Sequence, residues 1–171
     1  MRVERWFAFM DLSGFTSFGD EYGDDASVVV LTEFRGAVRQ VATEFGVRIA
    51  KWLGDGCMIV SVEPQQLVAS VCKLEALAHD LELPLSLHGG CAGGAVILLE
   101  GDDYTGRSVN LAARLATAAR PHEILAPVDL QEFVPDGAPV EPAVMVTVAG
   151  LHDPVEVIRF GCAAAGDTVR A

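Results

Sequence analysis

Three stretches of the chain hold the polar residues that could do chemistry: FAFMDLSGFT (7–16), AKWLGDGCMIV (50–60) and GDDYTGRSVNLAAR (101–114). In the first, Asp11 ends an apolar run and is followed by the turn-forming Ser13-Gly14 and then Phe15-Thr16. A turn that leads into a helix presents backbone N–H groups, which suit phosphate oxygens. A carboxylate beside such a cradle is repulsive unless a divalent cation lies between them. Asp55, between two further apolar runs, offers a second carboxylate. If those runs are strands flanking the first one, both Asp side chains emerge at one sheet edge. Two carboxylates holding two Mg²⁺ or Mn²⁺ ions make a phosphoryl-transfer site of the two-metal type.

Each feature also has a plainer reading. Asp55-Gly56 suits a type I′ hairpin turn, whose central residues need positive φ, and Lys51 then only marks a strand edge. An Asp at a strand end often caps a turn. Asn110 and Arg114 stand four apart and share a helix face with Arg107, a spacing that usually marks a solvated face.

The elements that must position these residues are legible from periodicity. Strands are expected near Trp6–Asp11, Val47–Trp52, Cys57–Val62, Leu85–Cys91, Val96–Leu99, Glu123–Ala126, Val144–Val148 and Val155–Phe160. Helices fit Asp25–Phe45, Gln65–Asp80 and Ser108–Ala119. The first carries Val30, Phe34, Val38, Val41 and Phe45 on one face. The prolines and glycine of VPDGAPVEPA (134–143) predict a loop. The order is βαββαββαβ followed by a hairpin. It predicts an α/β sandwich: a ferredoxin-like βαββαβ core extended by a C-terminal hairpin, mostly antiparallel, with packed helices.

Composition narrows the function classes. At 171 residues, half of them hydrophobic, the chain suits one domain with a real core, expected over 1–162, with a short tail at 163–171. The net charge of −12 argues against nucleic acid or an anionic membrane as partner. No apolar run approaches the length of a membrane span. The first apolar run meets Asp11 too soon for a signal peptide, and no regulatory domain is expected before it. Cys57, Cys72, Cys91 and Cys162 form no CxxC pair and sit among apolar neighbours, so buried thiols of a cytoplasmic protein are expected rather than disulfides or zinc.

Taken together, FAFMDLSGFT, KWLGDGCMIV and GDDYTGRSVNLAAR resemble the signature blocks of class III adenylyl and guanylyl cyclases. VAGLHDPVEVIRF (148–160) is similar to the hairpin that closes that catalytic domain. The likeness spans essentially the whole chain in the right order. The link GGAVILLEGDDYTG is most similar to the bacterial, especially actinobacterial, branch, and a stand-alone form is expected.

The resemblance implies roles by position. Asp11 and Asp55 match the metal-binding aspartates. Lys51 and Asp103 match the base-selecting pair. Asn110 matches the residue that orients the ribose, and Arg114 the one that stabilises charge on the reacting phosphate. Ser13, Gly14, Phe15 and Thr16 fall on the phosphate-binding segment. Lysine can donate to N1 of adenine and aspartate can accept from its 6-amino group, whereas guanine has the opposite polarity, so the pair implies ATP. The implied reaction is metal-assisted attack of the ribose 3′-hydroxyl on the α-phosphorus, giving 3′,5′-cyclic AMP and pyrophosphate. It also implies a head-to-tail homodimer, with each site taking its metal aspartates from one protomer and its purine and transition-state residues from the second.

Two departures stand out. Many relatives have a lysine for the terminal phosphates in an LKG-like segment, where this chain has Ala149 and His152. The run LHGGCAGG replaces a bulkier strand, which is expected to loosen a sheet edge or the dimer seam. A catalytically weak or inactive nucleotide-binding module and a guanylyl cyclase are the alternatives. The latter normally has Glu- and Cys-like residues in place of Lys51 and Asp103.

Overall fold

Strand β1 (Arg2–Leu12) buries both of its faces: Ala8, Met10 and Leu12 on one side and Phe7 on the other. A strand so placed needs cover above and below the sheet, and it has it. In the computed structural model, which describes residues 1–101 and 103–161, two helices lie on one face and a third on the other. Cys162 and the expected tail lie outside the described residues.

The chain continues through α1 (Phe15–Phe45), β2 (Arg48–Leu53), β3 (Gly56–Ser61), α2 (Pro64–Asp80), β4 (Leu87–Leu98), β5 (Tyr104–Thr105), α3 (Arg107–Ala118), β6 (Ile124–Pro127), a 3₁₀ turn (Val128–Phe133), β7 (Val140–Val146) and β8 (Val155–Phe160). The eight-stranded sheet runs β2-β3-β1-β4-β6-β8-β7, with β5 paired to β4. Among the described residues only β4 and β6 pair in parallel. The segment β2-β3-β1-β4 is the ferredoxin-like core, and the β7–β8 hairpin extends it through β6, as expected from the sequence.

The predicted face of α1 is the buried one: Val30, Phe34, Val38 and Val41 pack with Leu67, Val71 and Leu74 of α2 on Ala8, Met10 and Ile59. On the opposite face Ala112 of α3 meets Phe7, Met58, Val60 and Ala92. Helix α1 starts at Phe15, ten residues before the expected Asp25, and is kinked at Gly23 (φ 86°).

Three expectations need correction. Leu85–Cys91 and Val96–Leu99 are one strand, β4, whose hairpin partner is Tyr104–Thr105. Gly93 and Gly94 read as a break between them, but the glycines of this run act as space. A side chain at Gly93 would collide with the Trp6 ring, and one at Gly89 with Met10 Sδ. For the same reason LHGGCAGG loosens no sheet edge: β4 is central, between β1 and β6. Third, the expected loop at 134–143 ends early, because Val140 already pairs with Phe160, and the irregularity between Glu141 and Val144 absorbs Pro142.

Gly90 does most to position the rest. A Cβ there would strike the backbone of α3, at Ala112 O and Ala116 N. Gly90→Ala is expected to destabilise the domain by about 1–3 kcal/mol through overpacking. Gly36→Ala, in exposed helix with nothing within 4 Å of the new atom, should stabilise it by about 0.5–1 kcal/mol. Urea midpoints of the two variants check the contrast.

Candidate functional site

Strand pairing brings the first two aspartates together. Asp11 lies opposite Gly56 on β3 and His88 on β4, and Asp55 sits in the β2–β3 turn. Leu53 pairs with Gly56, so the central turn residues are Gly54 and Asp55, not Asp55 and Gly56. Only Gly54 of the two has positive φ (63°), the pattern of a type II′ rather than a type I′ turn. Gly56 is glycine for a different reason: a Cβ would lie 2.5 Å from Asp11 Oδ1 and 2.8 Å from the Met10 carbonyl oxygen. Its bare backbone makes room for the Asp11 carboxylate.

Burial pushes the Asp11 pKa up, and the charge of Asp55 pushes it further, while His88 and the Leu12 amide pull it down. The two carboxylates therefore feel one another. Beside Asp11 a cleft of about 430 Å³ opens, walled by Phe9, Leu53, His88 and the α3 residues Ala113 and Thr117. The turn carrying Asp55 is held from outside. Arg35 Nη2 donates to the Gly54 carbonyl at 3.1 Å, and its guanidinium and that of Arg39 lie 5.0 and 5.3 Å from the Trp52 ring centroid.

The loop after Asp11 divides its donors. The Ser13 amide donates to the Ser86 carbonyl (2.8 Å) and is not available to a ligand. Its hydroxyl lies 2.9 Å from His88 Nδ1. Gly14, with φ 78°, is the N-cap of α1. The amides of Phe15 and Thr16, in the first helical turn, have no intrahelical acceptor and are the donors of this loop that a ligand could use.

A second pair forms where sequence separation is 52. Lys51 Nζ donates to Asp103 Oδ1 at 2.7 Å, with both side chains a little under half exposed. The Tyr104 amide also donates to Asp103 Oδ1 (2.8 Å), and both hydrogen bonds lower the Asp103 pKa, that from Lys51 the more. Tyr104 anchors the pair: its ring meets Phe7 edge-on at 5.3 Å, and its hydroxyl accepts from Arg48 at 2.9 Å.

Asn110 and Arg114 are exposed on α3, as their spacing predicts. Among the described residues neither is hydrogen-bonded or ion-paired to another candidate site residue. Arg114 Nη1 donates to the Ala149 carbonyl, and a side chain at Gly150 would collide with its guanidinium.

Comparison with known proteins joins these fragments. No protein-family model matches the chain. An uncharacterised protein of Mycobacterium tuberculosis is 40% identical over 128 residues, covering 75% of this chain and 34% of that protein. A pH-sensitive adenylate cyclase of the same species is 32% identical over 130 residues, covering 75% of this chain and 32% of its own length. The adenylyl cyclase CyaB from P. aeruginosa superposes with a TM-score of 0.78 at 25% identity, covering 94% of both chains. The guanylyl cyclase Cya2 shares the fold with a TM-score of 0.82 at 23% identity, covering 98% of this chain and 96% of that one. The chain belongs to the class III adenylyl/guanylyl cyclase family. It spans about a third of the length of the curated relatives it matches.

Within this cyclase domain the segment without the lysine is the seat of the Arg114 guanidinium. One of its five donors is used on Ala149, which orients the fork and leaves the others for a ligand. Class III cyclases generally use Mg²⁺ or Mn²⁺. No group of three His, Cys, Asp or Glu among the described residues could hold a metal alone. Two carboxylates completed by phosphate oxygens and water are an ordinary Mg²⁺ environment, so the residues present fit the ion. Sequence reading missed His88, Tyr104 and Gly56. Gly56 was visible as part of GDG, but the collision that requires it exists only across strands.

The direction of the Asp11 shift carries a stability prediction. A carboxylate whose folded pKa is raised stabilises the fold only when protonated, and that contribution is lost as pH rises through the folded pKa. Asp11→Asn should therefore raise the Tm of the metal-free protein at pH 7, with the gain vanishing below the ordinary aspartate pKa. Mn²⁺ should raise the Tm of the wild type but not of the variant. Thermal melts at two pH values, with and without Mn²⁺, measure both.

Proposed function

We propose that residues 1–162 form one catalytic domain that converts ATP to 3′,5′-cyclic AMP and pyrophosphate at composite sites of a head-to-tail homodimer. The observation that carries the reading is the Lys51–Asp103 pair, a cationic donor 2.7 Å from an anionic acceptor. Adenine offers an acceptor at N1 next to a donor at its 6-amino group, so the pair can open onto the base and exchange one partner for two. Guanine would set N1–H against lysine and O6 against aspartate. The adenylate cyclase relatives from Mycobacterium tuberculosis and Glutamicibacter nicotianae support the same choice.

In this reading Asn110 orients the ribose, and Arg114 meets the charge that grows on the phosphate as the bond from O3′ to the α-phosphorus forms and the bond to pyrophosphate breaks. The amides of Phe15 and Thr16 bind phosphate oxygens. Asp11 and Asp55 hold two Mg²⁺ or Mn²⁺ ions, whose chemistry when bound is to acidify the 3′-hydroxyl and neutralise the triphosphate. Shared sites are supported by the exposure of Asn110 and Arg114, neither of which, among the described residues, is hydrogen-bonded or ion-paired to Asp11 or Asp55. Ala149 in the place of a lysine favours a second reading, a weak or inactive nucleotide-binding module. Cyclic AMP formation by the purified protein with Mn²⁺ separates the two.

Base choice can be tested directly. Asp103→Ala should lower kcat/KM for ATP by roughly five- to a hundredfold, the scale of about 1–3 kcal/mol for an unpaired partner, and affect GTP less. An unchanged ATP/GTP ratio in both Lys51 and Asp103 variants would remove the pair from base recognition.

Sharing can be tested by mixing. Asp11→Ala and Arg114→Ala homodimers should each be nearly inactive. A mixed dimer gathers both lesions in one site and leaves the other intact. With random exchange about half the dimers are mixed, and activity should return to roughly a quarter of wild type if the sites act independently. Demonstrated exchange without recovery would place both residues in one protomer's site.

A further inference from the structure

Away from the site, a cleft of about 470 Å³ lies between the end of α2, the α2–β4 loop and the turn before β6. Its polar wall includes Glu75, His79, Glu82 and His122, and its apolar wall includes Leu83 and Leu85. Glu75 is the unusual member. Its side chain is only 5% exposed, and Oε2 has no hydrogen-bond partner among the described residues. Its other oxygen meets His122 Nδ1 at 3.4 Å, a long contact from a ring that is itself 69% exposed. Burial pushes the Glu75 pKa up, and His122 opposes the shift only in part.

Burying a carboxylate behind one long hydrogen bond is costly. A second oddity falls on the same walls. Among the described residues only Glu82 (φ 52°) and His122 (φ 64°) are non-glycine residues with positive φ. Both line this cleft, and such conformations persist where the surroundings impose them.

We propose that the cleft is a binding site for a small organic cation, a primary ammonium on an apolar body. The ammonium would take the place of the exposed His122 ring at Glu75, and the body would lie on Leu83 and Leu85. A metal ion is the poorer occupant, because no three potential ligands among the described residues converge. The site uses none of the residues assigned to the nucleotide, so it stands or falls apart from the cyclase reading.

The test is an NMR titration of the full chain at pH 8 with three probes of similar shape: 2-phenylethylammonium, 2-phenylethanol and 3-phenylpropionate. The ammonium should shift the amides of Glu82, Leu83 and His122 and saturate at roughly millimolar concentration, as suits a fragment of its size. The alcohol should bind about tenfold more weakly or worse, the scale of one charge-assisted hydrogen bond, and the carboxylate should not bind. Glu75→Gln should bring ammonium and alcohol level. His122→Gly, which relieves the positive φ and removes the competing ring, should bind the ammonium more tightly. Equal binding of ammonium and alcohol to the wild type, a preference that survives Glu75→Gln, or loss of binding in His122→Gly would each overturn the proposal.

Discussion

Helix α3 rests on bare backbone. At Gly90 the central strand β4 has no side chain, and the peptide groups of Ala112 and Ala116 fill the space where one would be. This contact sets the height of α3 above the sheet, and Asn110 and Arg114 inherit their positions from it. It also lets Ala113 and Thr117 form one wall of the cleft beside Asp11. A larger residue at 90 would lift the helix and move Asn110 and Arg114 with it. Close packing of backbone on backbone leaves little slack, because cores have few voids to absorb a shift.

The Asp11–Asp55 end of the sheet is arranged against its own electrostatics. Asp11 is partly buried and shares its surroundings with Asp55, both of which raise its pKa. Two ionised carboxylates so placed repel one another. The scaffold nevertheless holds it: Gly56 makes room for the Asp11 carboxylate, and Arg35 grips the turn at the Gly54 carbonyl. His88 bridges the two halves of this end, with Nδ1 at the Ser13 hydroxyl and Nε2 3.9 Å from Asp11 Oδ2. If the Ser13 hydroxyl is the donor, the ring proton sits on Nε2 and faces the carboxylate.

The Lys51–Asp103 pair solves a different problem. Neither charge is deeply buried, so the pair adds little to stability, as exposed ion pairs generally do. What fixes it is the seat beneath. Tyr104, packed on Phe7 and bonded to Arg48, holds the Asp103 backbone next to β2, and the Tyr104 amide points Asp103 Oδ1 at the lysine. A weak pair on a rigid seat can open to a base at small cost.

The sequence by itself determined the element order, the buried face of α1 and the sharing of one α3 face by Asn110 and Arg114. These follow from periods of two and 3.6, which are local properties of the chain. It also marked Asp11, Asp55, Lys51 and Asp103, because three motif blocks stand in the family's order. What it could not decide depended on neighbours distant in sequence. The glycines of LHGGCAGG read as a loosened sheet edge until Trp6, Met10 and α3 were seen to occupy the space above them. The turn moved from Asp55-Gly56 to Gly54-Asp55 because pairing of Leu53 with Gly56 set the register. His88 had no motif, and nothing in the sequence marked Glu75. Only tertiary packing put the first beside Asp11 and buried the second, because burial and electrostatic proximity are properties of a surface assembled from several elements.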